Sequence, residues 1–229
     1  MDTTLCAFYR TARAGAVRLS DDGGPFGFDI TVALLADDLV TGYDCDALVE
    51  TGCHLGDTTD YLARRYPELP VYSCDIDPSY AAFTRRRVAK HRNARVEPVD
   101  SAALVNSAAA IHHRPLFFLD AHWGPDWPLA RELEAIAAGI VLIHDFDIGH
   151  PRFSYDAYGD LVCGPNMLAA MSRPPERYFV PDPEADWPLP CLQTRRRAGV
   201  GILAVGLDSG PLDTHPHLIT RHLEMAVTR

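Results

Sequence analysis

Two short clusters in this 229-residue chain carry side chains suited to chemistry: Asp120-Ala121-His122, and His144-Asp145-Phe146-Asp147. Each follows an apolar run, Pro115 to Leu119 and Ile140 to Ile143, of the kind found in parallel strands buried on both faces. Neighbouring parallel strands end at the same edge of a sheet, so the two clusters are expected to meet there. Two carboxylates with imidazoles at one edge could bind a hard divalent cation, with Asp120, Asp145 and His144 as ligands. Such a cation would lower the pKa of a bound hydroxyl and orient it. Without a metal, His122 or His144 could be a general base, because imidazole titrates near neutral pH. A cluster that only supports the fold is the third reading, and all three stay open at this point.

The element that would sit beside these clusters is Leu48-Val49-Glu50-Thr51-Gly52-Cys53-His54-Leu55-Gly56-Asp57-Thr58-Thr59. A short apolar run enters it, two glycines four residues apart turn it, and an amphipathic segment leaves it. That is a strand, a tight loop and a helix start, the place where a nucleotide-like cofactor sits in an open α/β sheet. Gly52 and Gly56 permit positive φ and bring backbone N–H groups to face a ligand. The helix from Thr58 adds unpaired N–H groups and a positive dipole end. Asp75, nineteen residues after Gly56, closes a second apolar run and is suited to accept two ribose hydroxyls. Glu50 faces either the ligand or buried donors.

Strands and helices alternate around these points. Strands are expected at Ala47 to Glu50, Val71 to Asp75, Arg95 to Val99, Pro115 to Asp120, Ile140 to Ile143, Arg177 to Val180 and Val200 to Val205. Helices are expected at Asp29 to Leu39, Thr58 to Tyr66 (capped by Asp57 or Thr58), from Pro78, at Ala102 to Ile111, Leu129 to Ala138 and Asn166 to Met171. Residues 1 to 28 read as irregular, with a turn cluster at Asp21-Asp22-Gly23-Gly24-Pro25, and residues 211 to 229 as a tail with a short helix. The pattern describes one α/β domain over 1–229, in which 1–46 is an N-terminal extension. Segment 147–160 leaves the active edge carrying His150, Tyr155, Asp156 and Tyr158, and reads as a substrate wall or a packed surface loop.

Apolar residues make up 47% of the chain, enough for a substantial core, and the net charge is −10. That charge argues against a sequence-independent grip on nucleic acid. The runs Arg85-Arg86-Arg87 and Arg195-Arg196-Arg197 read as solvated ends of elements. Six scattered cysteines form no Cys-x-x-Cys pair and suggest reduced thiols. No apolar run approaches the ~20 residues needed to cross a bilayer. With no secretory pattern at the N-terminus, the expectation is a cytoplasmic chain acting on a small molecule, away from membranes. A homo-oligomer is compatible with all of this.

Glu50-Thr-Gly52-Cys-His54-Leu-Gly56, with Asp75 and Asp120 at the next strand ends, resembles class I S-adenosylmethionine-dependent methyltransferases. The resemblance covers residues 45 to 147 by motif. It implies a Rossmann-like doubly wound sheet of order 3-2-1-4-5-7-6 with the last strand antiparallel. It implies S-adenosylmethionine as cofactor, held by Glu50, Gly52, His54, Gly56, Thr58, Asp75, Ile76 and Asp120, with Asp100 and Ser101 at the adenine. The family usually has glycine where this chain has His54. Asp120 and Asp145 further resemble the acids of metal-dependent small-molecule O-methyltransferases of the macrocin type, which hold magnesium. The expected reaction is methyl transfer to a hydroxyl of a sugar or secondary metabolite. An N- or C-methyltransferase and a non-catalytic binding protein on the same fold are the alternatives. An NAD-type oxidoreductase fits poorly, because the turn lacks the dinucleotide fingerprint.

Overall fold

Five parallel strands form the half of the sheet that carries the clusters. A computed structural model describes residues 3–18, 23–122, 126–192 and 197–223. Trp123, Asp21, Asp22, Arg195, Arg196 and the end of the expected tail lie outside the described residues. Along the chain come α1 (Thr3–Arg10), a short 3-10 turn (Pro25–Phe28), α2 (Ile30–Gly42), β1 (Ala47–Thr51), α3 (Asp57–Arg65), β2 (Val71–Cys74), α4 (Pro78–Val88), β3 (Ala94–Glu97), α5 (Ser101–Ala109), β4 (Pro115–Leu119), α6 (Leu129–Ala135) and β5 (Gly139–His144). The remainder contributes β6 (Phe153–Ser154), β7 (Ala157–Tyr158), β8 (Leu161–Val162), α7 (Pro165–Ala169), β9 (Arg177–Pro181), β10 (Arg197–Ala198), β11 (Val200–Val205), α8 (Gly210–Asp213) and β12 (Leu218–His222).

The main sheet runs β12-β9-β11-β5-β4-β1-β2-β3. The pairs from β3 to β5 are parallel, while β11 is antiparallel to both β5 and β9. Counted along the chain, this is the expected 3-2-1-4-5-7-6 order of a Rossmann-like fold, with an eighth strand, β12, added antiparallel to β9. The tail expected from residue 211 does hold a short helix, α8, and then continues into this strand. Asp182 N–H, donating to the His217 carbonyl at 2.8 Å, extends the pairing of a segment whose sequence alternation is too short to read.

β1, β4 and β5 are buried along their whole length. Their alternate side chains serve two cores. Leu48, Leu116, Phe118 and Leu142 face α1, α2 and α3, while Val49, Phe117, Leu119 and Val141 face α5 and α6. Truncating a residue such as Phe117 to alanine would cost ~3–5 kcal/mol. The helices begin where side chains cap them. Asp77 accepts from Ser79 N–H at 2.7 Å in front of Pro78, and Asp100 accepts from Ala102 N–H at 3.1 Å.

Among the described residues of the first 28, α1 and the 3-10 turn stand where an irregular segment was expected, and both pack on α3. There the structure corrects the expected cap. Gly56, not Asp57 or Thr58, is the N-cap of α3. Asp57 instead accepts from Ala14 N–H at 3.0 Å and pairs with Arg87, and Thr58 Oγ1 accepts from Phe26 N–H at 3.0 Å. Gly139 follows the expected helix from Leu129 and belongs to the next strand. It opens β5 at φ 148°, where a Cβ would lie 2.7 Å from the Pro115 carbonyl oxygen.

Candidate active site

The turn after β1 is held open by two contacts. Gly52 has φ 76°, and a Cβ there would come within 2.6 Å of the Asp120 carbonyl oxygen. Gly56 has φ 75°, and a Cβ there would meet Thr84 of α4 at 2.6 Å. Between them His54 adopts the left-handed conformation at φ 42°, which is costly for a residue with a Cβ. Its N–H donates to Asp75 Oδ2 at 2.9 Å, its carbonyl accepts from Thr84 Oγ1 at 2.9 Å, and its ring meets Tyr80 edge-on at 4.7 Å. Asp75 Oδ1 accepts from Asp77 N–H at 2.9 Å. One carboxylate therefore ties the glycine turn to the end of β2 and keeps further lone pairs toward the open space.

That space is a cavity of about 760 Å³ above the carboxyl ends of β1, β2 and β4. Of the residues expected at a cofactor, Gly52, His54, Asp75, Ile76, Asp100, Ser101 and Asp120 line it. Ile76 is 76% exposed and forms part of its rim. Glu50, Gly56 and Thr58 lie outside the lining. Glu50 is buried beneath the turn, accepting from Thr59 Oγ1 and from Ser73 Oγ at 2.7 Å. Burial pushes its pKa up to about 7 although both hydroxyls pull it down. Its visible role is to anchor α3 and β2 against β1. Sequence reasoning passed over Tyr80, Asp126 and Arg131 of the lining. Arg131 had no signal in the chain, because it reaches the cavity by a two-pronged pair with Asp100, both N···O distances 3.0 Å. That pair holds the Asp100 carboxyl below the usual range, Arg131 acting first and the backbone N–H groups of α5 adding to it.

The acid and histidine clusters do meet, at the ends of β4 and β5. His144 Nδ1 lies 3.1 Å from Asp120 Oδ1 and 3.2 Å from Asp145 Oδ2. Burial alone would lower the His144 pKa, but the two carboxylates override it and hold the ring well above its usual value. His144 thus lies between the two carboxylates expected to act with it, its Nδ1 within hydrogen-bonding reach of both. Asp145, at φ 48°, has its carboxyl lowered by the same partner against the upward effect of burial. His122 stands beside the same two carboxylates. Its ring is buried, with both nitrogens lacking a hydrogen-bond partner among the described residues. The ligand atoms of Asp120, His122 and Asp145 lie within 4.8 Å of one another. A buried imidazole with no partner beside two carboxylates is a donor set that fits a divalent cation.

The expected substrate loop divides. Asp156 reaches the site, with Oδ2 at 3.8 Å from His122 Nε2, and its carboxyl is raised by burial first and then by Asp145. It is placed by exchange with the loop after β5: Asp156 N–H donates to the Asp145 carbonyl, and Cys163 N–H to the Asp156 carbonyl, each at 2.9 Å. Tyr155 and Tyr158 are exposed beside it. His150 turns away, its ring against Phe153. His122 aside, no other histidine enters the candidate ligand set among the described residues.

No protein-family model matches this chain, and no curated protein is significantly similar to it. Solved structures resemble it in part. A chain of a fibrillarin/Nop5p complex is 19% identical, with 43% of this chain and 49% of that one covered and a TM-score of 0.36. An rRNA methylase from Streptococcus thermophilus is 15% identical over 76% of this chain and 95% of that one, with a TM-score of 0.43. A protein-L-isoaspartate O-methyltransferase is 17% identical over 62% of this chain and 50% of that one, with a TM-score of 0.44. The chain thus spans about half the length of the first and third.

The remaining expectations concern location and redox state. No disulfide forms among the described residues, and Cys45, Cys53, Cys74 and Cys163 are buried. Burial pushes the Cys53 thiol up to about 12. No described helix is long and apolar enough to cross a membrane.

Proposed function

We propose that this chain is an S-adenosylmethionine-dependent methyltransferase that methylates a hydroxyl of a small polar molecule. The observation that carries the reading is the joining of the glycine turn, Asp75 and Asp120 in one cavity at the carboxyl edge of a 3-2-1-4-5 parallel sheet. The charge of the lining supports it. Asp75, Asp77, Asp100, Asp120 and Asp126 face Arg131, which is itself paired to Asp100. Such a wall opposes a pyrophosphate, as in a dinucleotide, and favours a cationic ligand. A sulfonium bearing an adenosyl group meets both demands, with the ribose hydroxyls at Asp75 and the positive centre toward Asp120.

When bound, the cofactor would supply a methyl group made electrophilic by the sulfonium. The chain's own residues would prepare the acceptor. Asp120, His122 and Asp145 would hold a divalent cation, whose chemistry is to lower the pKa of a bound hydroxyl. Asp156, raised first by burial and then by Asp145, and beside His122, would accept the hydroxyl proton at Oδ2. His144 would keep the Asp120 and Asp145 carboxylates apart and oriented by donating to both.

The test is a thermal shift and calorimetric titration with S-adenosylmethionine, S-adenosylhomocysteine and NAD. Stabilisation by the first two and none by NAD is expected. If neither methyl-cycle ligand binds, the proposal is wrong.

A further inference from the structure

His122 is held by packing and by no hydrogen bond. Its side chain is 1% exposed, and the Trp127 ring meets it at 61° with centroids 5.6 Å apart. Neither ring nitrogen has a hydrogen-bond partner among the described residues. Asp156 Oδ2 stands 3.8 Å from Nε2, beyond hydrogen-bond length. A buried imidazole in that state loses its hydration without compensation from the protein. Its position is set by the sheet: two residues beyond Asp120, past the end of β4, it comes to the same spot as Asp145, past the end of β5.

The donor atoms of Asp120, His122 and Asp145 lie within 4.8 Å of one another, so the set combines one imidazole with two carboxylates. The carboxylates are partly engaged already. Asp120 Oδ1 lies 3.1 Å and Asp145 Oδ2 3.2 Å from His144 Nδ1. Asp120 Oδ2 and Asp145 Oδ1 do not share that partner, which leaves two oxygens and one nitrogen for a cation. Calcium takes about six to eight oxygens, and magnesium prefers oxygen throughout and gives up its water reluctantly. Imidazole nitrogen instead suits the later divalent ions of the first transition row, whose affinity for nitrogen ligands rises along that row. The set holds no thiolate, so it is not a site for a soft ion.

We propose that His122 sets which cation this site takes: one imidazole with two partly engaged carboxylates selects a transition-metal dication of the iron-to-zinc range over magnesium or calcium. The macrocin-type resemblance implies magnesium held by acids, and this chain departs from that pattern at His122. Magnesium still binds through the carboxylates, but more weakly. This rests on the metal reading above and is independent of the methyl acceptor.

The experiment is calorimetric titration of the untagged, metal-free chain with Co2+ and with Mg2+, in wild type, His122→Gln and Asp145→Asn. The visible bands of bound Co2+, which report its donor atoms, are recorded in parallel. Wild type should bind one Co2+ at least ~10-fold more tightly than Mg2+. Glutamine, an oxygen donor, should weaken Co2+ by ~10-fold or more and change its bands, while Mg2+ stays within ~3-fold of wild type. Asp145→Asn should weaken both ions. Magnesium bound as tightly as cobalt by wild type overturns the inference and leaves the metal reading standing. That comparison needs no variant, so it decides even where His122→Gln does not fold. Unchanged Co2+ binding in a folded His122→Gln also overturns the inference, since it places the ion on other histidines, and so does an equal loss of both ions. A wild type that binds neither ion removes the metal reading and the inference together, and the S-adenosylhomocysteine titration then judges the cofactor reading by itself.

Discussion

Replacing Asp75 by asparagine separates the bracing of the turn, which its carboxylate does, from the ribose binding proposed for it. Its oxygens accept from His54 N–H and Asp77 N–H, both at 2.9 Å, and retain lone pairs toward the cavity. Asparagine keeps one accepting oxygen and turns the other position into an NH2 that faces a backbone N–H. The turn therefore loses one hydrogen bond, worth about 1 kcal/mol, and Tm falls by about 2–4 °C. The ribose loses at least one charge-assisted bond, worth about 1.5–3 kcal/mol, which is a 10- to 150-fold weaker Kd. Calorimetry with S-adenosylhomocysteine reads this directly, and a 2′,3′-dideoxy analogue is the control. The analogue should bind weakly and equally to wild type and variant. An equal loss for both ligands would show that Asp75 acts only by bracing the turn, and an unchanged Kd for S-adenosylhomocysteine would refute the ribose assignment outright.

Four further outcomes follow from particular contacts. Gly56→Ala adds a methyl 2.6 Å from Thr84 at φ 75°, so it should cost ~2–4 kcal/mol in denaturant unfolding; a loss below 1 kcal/mol would contradict the packing. Glu50 titrates near 7 when folded against 4.5 as a free side chain, so the folded chain keeps a proton that the unfolded chain releases. Its contribution is full below about pH 4.5 and is lost as pH rises through 7, by up to ~3 kcal/mol, so the Tm of Glu50→Gln relative to wild type should climb from pH 5 to pH 8. Glu132, raised the same way, bends the wild-type curve in the same direction. Manganese or magnesium should raise the Tm of wild type but not of Asp145→Ala or His122→Ala; equal shifts in all three would remove both residues as ligands.

The sheet was readable because its central strands are nearly unbroken apolar runs. Leu116 to Leu119 and Ile140 to Ile143 have no polar residue to confuse the period, and Pro78, Gly42 and Asp100 punctuate the helices near where the chain turns. β12 was not readable, because five residues with mixed exposure become a strand only when β9 offers an edge. The same holds for α1, whose apolar face exists for α2 and α3 to cover.

For the candidate site, residue types and spacing alone determined that Gly52, Asp75 and Asp120 would each follow a strand, at what are the ends of β1, β2 and β4, since parallel strands must bring their carboxyl ends to one edge. What surrounds each imidazole was decided only by tertiary structure. His144 and His122 are equivalent in sequence, each beside an acid after an apolar strand. In space, His144 lies between two carboxylates that raise its pKa against the effect of burial, while His122 is buried with neither nitrogen hydrogen-bonded among the described residues and Asp156 3.8 Å away. Protonation depends on the charges within a few ångströms, and those come from β4, β5 and the loop at Asp156 together. Glu132 and Arg131 were silent for the same reason: on a helix they are an ordinary surface pattern, and only the packing of α6 on α5 sends one into the core and the other to the cavity wall.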